Sequence, residues 1–353
     1  MKKITVNASS VYDIFIGENL LKDCGKFIRK VSQAKCAAVV TDDVVDGLYA
    51  EKVIKSLAEN GYKTAKFVFK NGEASKCEKT LFDVYDFLNK SEITRSDLII
   101  ALGGGVVGDL TGFAAATFLR GVDFVQIPTT FLAQIDSSIG GKTAIDLPSG
   151  KNLVGAFKQP KLVICDILTL DTLSAEIFSD GMGEAIKYGM IKNSKLFELF
   201  ENGFWDKHEE EIIFECVSIK KNVVENDEFE SGERMLLNFG HTLGHAIEKY
   251  FHFTGISHGK AVGIGMCLIT QLAEGKNLCK AGTLDRLIHC LQRWKLPTEC
   301  EISIAELAEF CLSDKKRDGE NLNIVICDEV GKSRVIRLSI PEFYRFLGVE
   351  NGR

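Results

Sequence analysis

The hydrophobic pattern of residues 1–172 most constrains the fold of this 353-residue chain, because strand-like and helix-like segments alternate along it. The predicted strands are residues 3–7, 11–16, 36–41, 62–69, 97–102, 123–127 and 162–166. The predicted helices are residues 44–60, 76–89 and 106–119. Such alternation is typical of a mostly parallel sheet covered by helices. The first two strands are predicted to form an edge pair.

A second pattern begins after Leu168. Residues 174–312 carry apolar positions three and four apart, which indicates successive amphipathic helices. One short hairpin is predicted near the end, pairing residues 324–327 with 333–338 across the turn 329–332. We therefore place a domain boundary at residue 172, with domains spanning 1–172 and 173–353.

A glycine pattern follows the most apolar predicted strand. Gly103, Gly105 and Gly108 match G-x-G-x-x-G after a strand and at the start of a helix. A loop without Cβ atoms lets backbone N–H groups approach a pyrophosphate, although a tight strand-to-helix turn uses the same residues. Asp42 and Asp123 are equally placed as the acidic residue that would bind a ribose.

The position of this loop decides the fold class. In a standard Rossmann fold the loop follows the first strand, whereas here several strands precede it. The sequence thus predicts an α/β N-terminal domain with a mostly parallel, Rossmann-like sheet of non-standard topology. An all-helical C-terminal domain with a small hairpin follows it.

The composition limits the classes of partner that this protein is expected to bind. The 43 basic and 49 acidic side chains leave a net charge of -6, which disfavours non-specific nucleic-acid binding. The apolar stretches are shorter than the ~18 residues of a membrane span, and the first residues lack a secretory signal. Eleven cysteines without a C-x-x-C pair are typical of a reducing compartment. We expect a cytoplasmic protein that binds neither nucleic acid nor membrane.

Histidines and one glutamate form a candidate metal site. His241 and His245 are four residues apart and share one face of a predicted helix, and His258 follows after a turn. Glu184 lies among small and apolar neighbours, three residues before Lys187. One Glu with two His is the ligand set of a catalytic zinc-type site. Spacing alone does not choose two ligands from the three histidines.

Two further patterns concern glycines and cations. Gly263 and Gly265 lie within a predicted helix, where glycine is unfavourable, so we expect close backbone approach there. Residues 128–152 predict a long polar loop, and Lys142 and Lys151 each follow a glycine in it. Other cations that could join them in binding an anion are Arg120, Lys187, Lys220 and Arg234.

Four segments together resemble the 3-dehydroquinate synthase family, within the sugar-phosphate cyclases: residues 103–160, 181–189, 238–248 and 257–259. The resemblance covers nearly the whole chain. It implies a lyase of the shikimate pathway that converts 3-deoxy-D-arabino-heptulosonate 7-phosphate to 3-dehydroquinate and phosphate. The implied steps are transient NAD oxidation at C5, β-elimination of phosphate, re-reduction and intramolecular aldol closure. NAD, one divalent metal (zinc or cobalt) and a homodimer are implied with it.

The resemblance also assigns roles to individual residues. The implied metal ligands are Glu184, His241 and His258, which leaves His245 as an active-site residue. The implied cofactor contacts are Asp42, Glu73, Lys76, Gly104, Gly105, Val106, Asp109, Thr129, Thr130, Asp136, Ser137, Lys142, Lys151 and Thr172. The implied catalytic or substrate-binding residues are Arg120, Asp136, Lys142, Lys151, Asn152, Lys187, Lys220, Arg234, Asn238, His245 and either Lys315 or Lys316. Arg120 is implied to reach the neighbouring subunit's site.

The sequence departs from the family at Val44, where a polar cofactor contact is usual, and at residues 172–177, which lack a usual proline. Other interpretations stay open: a metal-dependent alcohol or polyol dehydrogenase, a valiolone or scyllo-inosose synthase, and a non-catalytic nucleotide-binding regulator. A dehydrogenase would accumulate NADH. Arg234 and Asn238 suit a carboxylated substrate and favour the dehydroquinate reaction.

Overall fold

The structure is a computed structural model that describes residues 1–230, 232–315 and 321–349. Its strands are β1 Lys2–Asn7, β2 Val11–Gly17, β3 Cys36–Asp42, β4 Lys63–Phe69, β5 Leu98–Gly103, β6 Asp123–Pro128, β7 Lys142–Leu147, β8 Gly150–Phe157, β9 Leu162–Asp166, β10 Asn321–Glu329 and β11 Lys332–Ser339. Its α-helices are α1 Cys24–Val31, α2 Asp43–Val45, α3 Glu51–Glu59, α4 Glu78–Lys90, α5 Gly105–Thr117, α6 Ala175–Lys192, α7 Ser194–Glu201, α8 Glu209–Asn226, α9 His241–Tyr250, α10 His258–Gly275, α11 Thr283–Arg293, α12 Ile304–Lys315 and α13 Ile340–Leu347. Short 3-10 or π-helical turns lie at Leu21–Asp23, Asp46–Ala50, Glu73–Ser75, Phe118–Arg120, Ala133–Ser137, Ile167–Thr172 and Glu233–Asn238.

The chain divides into two compact units. The first unit is Met1–Ser174 with Glu209–Glu228, and the second is Ala175–His208 with Phe229–Arg353. The sequence pattern places α8 in the second domain, whereas the structure includes it in the first unit. Glu225, on α8, accepts the backbone N–H of Asn7 at 2.6 Å, and Glu228 accepts that of Ser9 at 2.7 Å. An amphipathic pattern shows which face of a helix is buried but not which partner covers it.

The first unit contains a seven-stranded sheet with the order β1-β2-β9-β6-β5-β3-β4. Strands β1 and β2 are antiparallel and the other neighbours are parallel. This confirms a mostly parallel sheet with β1 and β2 as an edge pair. Every residue of β5 and β9 is buried, as expected for strands covered on both faces. Along the parallel strands the direction of strand addition reverses between β3 and β5. At such a switch point ligands bind beyond the carboxyl ends of the strands.

Two parts of the predicted loop 128–152 are wrong. Residues Ala133–Ser137 form a helical turn. Residues from Lys142 onward form a separate antiparallel hairpin, in which β7 pairs with β8 from Lys142↔Phe157 to Leu147↔Gly150. Thr143, Ala144 and Ile145 of β7 are buried. Most of β8 is exposed and contains Gly155, so it lacks the apolar alternation that identifies a strand in a sequence.

The second unit is helical, and among its described residues the predicted hairpin is present as β10 and β11. Helices α6, α9 and α10 approach closely where glycines lack side chains. A Cβ atom at Gly259 would lie 1.9 Å from the carbonyl oxygen of Asp180, and one at Gly265 would lie 2.1 Å from that of Gly240. The prediction of close backbone approach is confirmed at Gly265. It is wrong at Gly263, where an added Cβ atom would lie 3.5 Å from both a methyl group of Leu291 and the carbonyl oxygen of Pro297, which are ordinary contacts.

No helix in the described part of the chain combines the length and the continuous apolar character that a membrane span requires.

Candidate active site

Three side chains from three helices of the second unit converge. Glu184 lies on α6, His241 is the first residue of α9, and His258 is the first residue of α10. The Nε2 atoms of His241 and His258 lie 3.4 and 3.5 Å from Oε1 of Glu184. One ligand atom from each residue therefore lies within 4.8 Å of the other two. This is the spacing of donors around a single cation.

The donor set fits a divalent metal. Oε1 of Glu184 is buried and has no hydrogen-bond partner among the described residues, which is costly for a carboxylate. The Nδ1 atom of His241 lies 3.1 Å from the carbonyl oxygen of Phe239, and that of His258 lies 3.4 Å from Oε2 of Glu248. With its single proton on Nδ1, each ring would present its Nε2 lone pair toward Glu184. A cation at this point would satisfy all three donors.

The carboxylates of the cluster favour a positive charge on His258. Burial opposes protonation of His258, but the carboxylates of Glu184 and Glu248 outweigh it and raise its pKa to about 10. Burial lowers the pKa of His241 to about 3. Burial also opposes ionisation of Glu184, yet Lys187 and His241 hold its pKa well below the usual range.

Other predicted residues of the second unit lie nearby or on adjoining segments. Lys187 is buried and forms an ion pair with Glu184, one turn along α6. The ring of His245 lies 5.3 Å from that of His241 and 6.1 Å from that of His258, measured between centroids. Arg234 is buried in the turn before α9, and Nδ2 of Asn238 donates to Glu230 at 2.7 Å. Lys315 ends α12, while its side chain and all of Lys316 lie outside the described residues.

In the first unit, the glycine loop packs against predicted cofactor residues. Gly104 precedes α5, whose first backbone N–H groups have no partner within the helix. A Cβ atom at Gly104 would lie 3.0 Å from Cγ2 of Thr130, and one at Gly105 would lie 3.2 Å from Oγ of Ser137. The glycines therefore let the loop lie close to these two side chains, at a helix N-terminus of the kind that binds anions.

Sheet register separates the two acidic candidates for the ribose. Asp42 ends β3, next to Thr41, which pairs with Leu102 of β5. Asp123 begins β6 and pairs with Leu98, at the opposite edge of the sheet from the glycine loop. Asp42 alone of the two lies at the carboxyl edge. One of its oxygens accepts the N–H groups of Val44 and Val45 at 2.9 Å, which fixes its orientation.

Two buried lysines of the first unit form hydrogen bonds and ion pairs with other predicted site residues. Nζ of Lys76 donates to Oδ2 of Asp109 at 2.5 Å and to Oδ1 of Asn152 at 2.6 Å. Nζ of Lys220 lies 2.9 Å from Oδ1 of Asp136 and donates to its carbonyl oxygen at 2.8 Å. These contacts link cofactor and substrate candidates within one unit.

Removing Lys76 should destabilise the first unit. Lys76 is 4% exposed, so the K76M variant leaves Asp109 without its cation, and we expect a loss of about 3 kcal/mol in the free energy of unfolding. The K76M/D109N double variant should lose less than the sum of the two single variants, because it removes both charges. Urea denaturation at neutral pH measures the free energy of unfolding of the wild type, the two single variants and the double variant. Additive losses would contradict the pairing.

The remaining predicted site residues lie at separate places in the first unit. Arg120 is exposed in a turn with φ 66°, and Lys142 is exposed at the start of β7. Oγ1 of Thr172 lies 2.5 Å from the hydroxyl of Tyr49. Glu73 is exposed in its turn, Lys151 lies in β8, Val106 lies in the first turn of α5, and Thr129 is buried after β6.

Sequence reasoning missed two carboxylates beside the ligands. Asp180 accepts the backbone N–H of Gly259 at 2.7 Å, and Glu248 contacts His258. A usable signal existed for Glu248, since His241, His245 and Glu248 follow an i, i+4, i+7 spacing and share one helix face.

Comparison with known proteins covers nearly the whole chain. Residues 66–180 match the family described as 3-dehydroquinate synthase N-terminal, and residues 181–317 match 3-dehydroquinate synthase C-terminal. A 3-dehydroquinate synthase from Clostridium acetobutylicum is 46% identical over 344 residues, 96% of each chain.

Solved structures show a shared fold. A 2-deoxy-scyllo-inosose synthase complexed with carbaglucose-6-phosphate, NAD+ and Co2+ has a TM-score of 0.87 at 24% identity, covering 98% of this chain and 99% of that one. A 2-epi-5-epi-valiolone synthase from Streptomyces hygroscopicus with NAD+ and Zn2+ has a TM-score of 0.86 at 24% identity, covering 98% of each chain.

Proposed function

The chain belongs to the 3-dehydroquinate synthase family, and from this premise we propose which of its residues carry the reaction. The enzyme is a phosphate-eliminating lyase that forms 3-dehydroquinate from 3-deoxy-D-arabino-heptulosonate 7-phosphate. The observation that supports the assignment most directly is the convergence of Glu184, His241 and His258 around one unpartnered carboxylate oxygen.

Both proposed cofactors have a matching set of residues. Glu184, His241 and His258 would hold a divalent metal, and Asp42 with the N-terminus of α5 would hold NAD. When bound, the metal offers Lewis acidity toward substrate oxygens, and NAD offers a hydride acceptor that is restored by the end of each turnover.

In the second unit, the residues around the ligands orient the substrate and hold charge. The Lys187 ammonium keeps Glu184 ionised and therefore competent as a ligand, and it is proposed to donate to a substrate hydroxyl. Arg234, with Asn238 four residues later in the same turn, is proposed to bind the substrate carboxylate. His245 presents an imidazole next to the ligand histidines.

In the first unit, Lys142 and Asn152 are proposed to bind the substrate phosphate. The Lys76 ammonium donates to Oδ1 of Asn152, which leaves the amide N–H groups of Asn152 directed away from Lys76 and available to an anion. A phosphate oxygen of the substrate can accept the C6 proton during elimination, so this step requires no strongly basic side chain. Ring closure then depends on holding the intermediate in a reactive conformation.

We also propose a cytoplasmic homodimer in which Arg120 acts on the neighbouring copy. Three consecutive residues carry positive φ values in its turn, 51° at Leu119, 66° at Arg120 and 123° at Gly121. Such a backbone is unfavourable for side chains other than glycine. Arg120 is exposed in the first unit.

A turnover assay with limiting NAD tests this function. The purified enzyme is supplied with the heptulosonate phosphate, Zn2+ or Co2+, and far less NAD than substrate. We expect one phosphate released per substrate and no accumulation of NADH, because each hydride is returned. NADH formed in proportion to product would instead indicate a dehydrogenase. Absence of phosphate release from the metal-loaded enzyme would contradict the proposal.

A further inference from the structure

Glu248 is a buried carboxylate that has no role in the proposed reaction. It lies on α9, is 3% exposed, and places Oε2 3.4 Å from Nδ1 of His258. An acidic side chain is rarely buried to this extent without a specific partner. It contacts the ring nitrogen on the side of His258 away from Glu184.

The His258 ring lies between two carboxylates. Its Nε2 atom faces Oε1 of Glu184 at 3.5 Å, and its Nδ1 atom faces Glu248. The backbone next to it is held separately, because Asp180 accepts the N–H of Gly259 at 2.7 Å. Backbone anchoring leaves rotation of the ring about its side-chain bonds undetermined. The Glu248 contact supplies the missing constraint.

The two ligand histidines differ in what holds their Nδ1 atoms. His241 faces a neutral acceptor, the carbonyl oxygen of Phe239, at 3.1 Å. His258 faces a charged acceptor. A carboxylate binds an N–H group more strongly than a carbonyl does and makes the opposite nitrogen a better electron donor.

We propose that Glu248 is a positioning residue for metal binding, through a hydrogen bond that its carboxylate accepts from Nδ1–H of His258. This bond selects the tautomer with a lone pair on Nε2 and turns that lone pair toward Glu184. The inference rests on the proposed metal-binding function of Glu184, His241 and His258.

Metal titrations of the metal-free full-length protein test the inference. Zn2+ affinity is measured by competition with a chromogenic chelator, and the site geometry by the visible spectrum of bound Co2+. The variants are E248A, the isosteric E248Q, E184A, and E201Q as a matched control. Glu201 is a carboxylate of the same unit with side-chain exposure of 20%, and it pairs with Arg286. Unfolding of each metal-free variant shows whether the fold is kept.

We expect E248A to bind Zn2+ about 10- to 100-fold more weakly and to alter the Co2+ spectrum. E248Q keeps an oxygen acceptor without the charge, so a loss of about threefold to tenfold is expected. E201Q should bind as the wild type does. Wild-type affinity in both Glu248 variants, or losses no larger than in E201Q, would overturn the inference. If E248A does not fold, wild-type affinity and spectrum in E248Q suffice to overturn it.

E184A separates this inference from its premise. Loss of binding in E184A together with wild-type binding in the Glu248 variants rejects only the role of Glu248. Wild-type Zn2+ affinity in E184A rejects the proposed metal site itself.

Discussion

The H258A variant is expected to lose at least about 100-fold in turnover and to retain little metal after dialysis. Removing the imidazole leaves Glu184 and His241 as the only proposed ligands, and two donors do not make a catalytic zinc-type site. The fold should survive, because the buried Glu184 carboxylate keeps its ion pair with Lys187. Initial rates of phosphate release, together with metal content by elemental analysis, measure both effects.

The matched control for this variant is H289A. His289 is exposed on α11 of the same unit, and none of the proposed roles involves it. We expect H289A to keep wild-type turnover and metal content. Full activity of H258A, or of wild-type enzyme stripped of metal, would contradict the assignment of His258 as a ligand.

Sequence reasoning predicts this site in part, and the limit has a physical cause. Helical geometry alone places His241 and His245 on one face, so their proximity is predictable from spacing. The distance from either histidine to His258 depends on how α9 packs against α10, which no periodicity reports. Spacing therefore does not show which two of the three histidines are ligands. The resemblance to a known family selects His241 and His258. The structure brings the Nε2 atoms of His241 and His258 toward Glu184.

The same limit appears in the first unit. Fully buried strands such as β5 have a strong apolar signal, and the glycine loop that follows β5 is visible because strand, loop and helix are consecutive. The choice between Asp42 and Asp123 needs the strand register, which is a relation between distant segments. The hairpin of β7 and β8 was missed because its exposed second strand has no alternating pattern.

The second large effect is expected from substitution of Gly265, where α10 packs closely against the start of α9. A Cβ atom there would lie 2.1 Å from the carbonyl oxygen of Gly240, the residue directly before His241. Because a backbone oxygen cannot rotate away, G265A must push α10 from the start of α9. We expect a loss of about 3 kcal/mol in the free energy of unfolding. Zn2+ binding should also weaken, since α10 carries His258 and α9 carries His241.

G263A is the matched control, because it places the same methyl group two residues away on the same helix. Its Cβ would meet a side-chain methyl of Leu291 and the carbonyl oxygen of Pro297, each at 3.5 Å, and both are ordinary contacts. Alanine is favoured over glycine in a helix by about 1 kcal/mol, so G263A should be as stable as the wild type or slightly more stable. Urea denaturation and Zn2+ titration of both variants compare the two positions. Equal stability of G265A and G263A would mean that α9 and α10 are not held together by backbone contact, and the convergence of His241 with His258 would then need another cause.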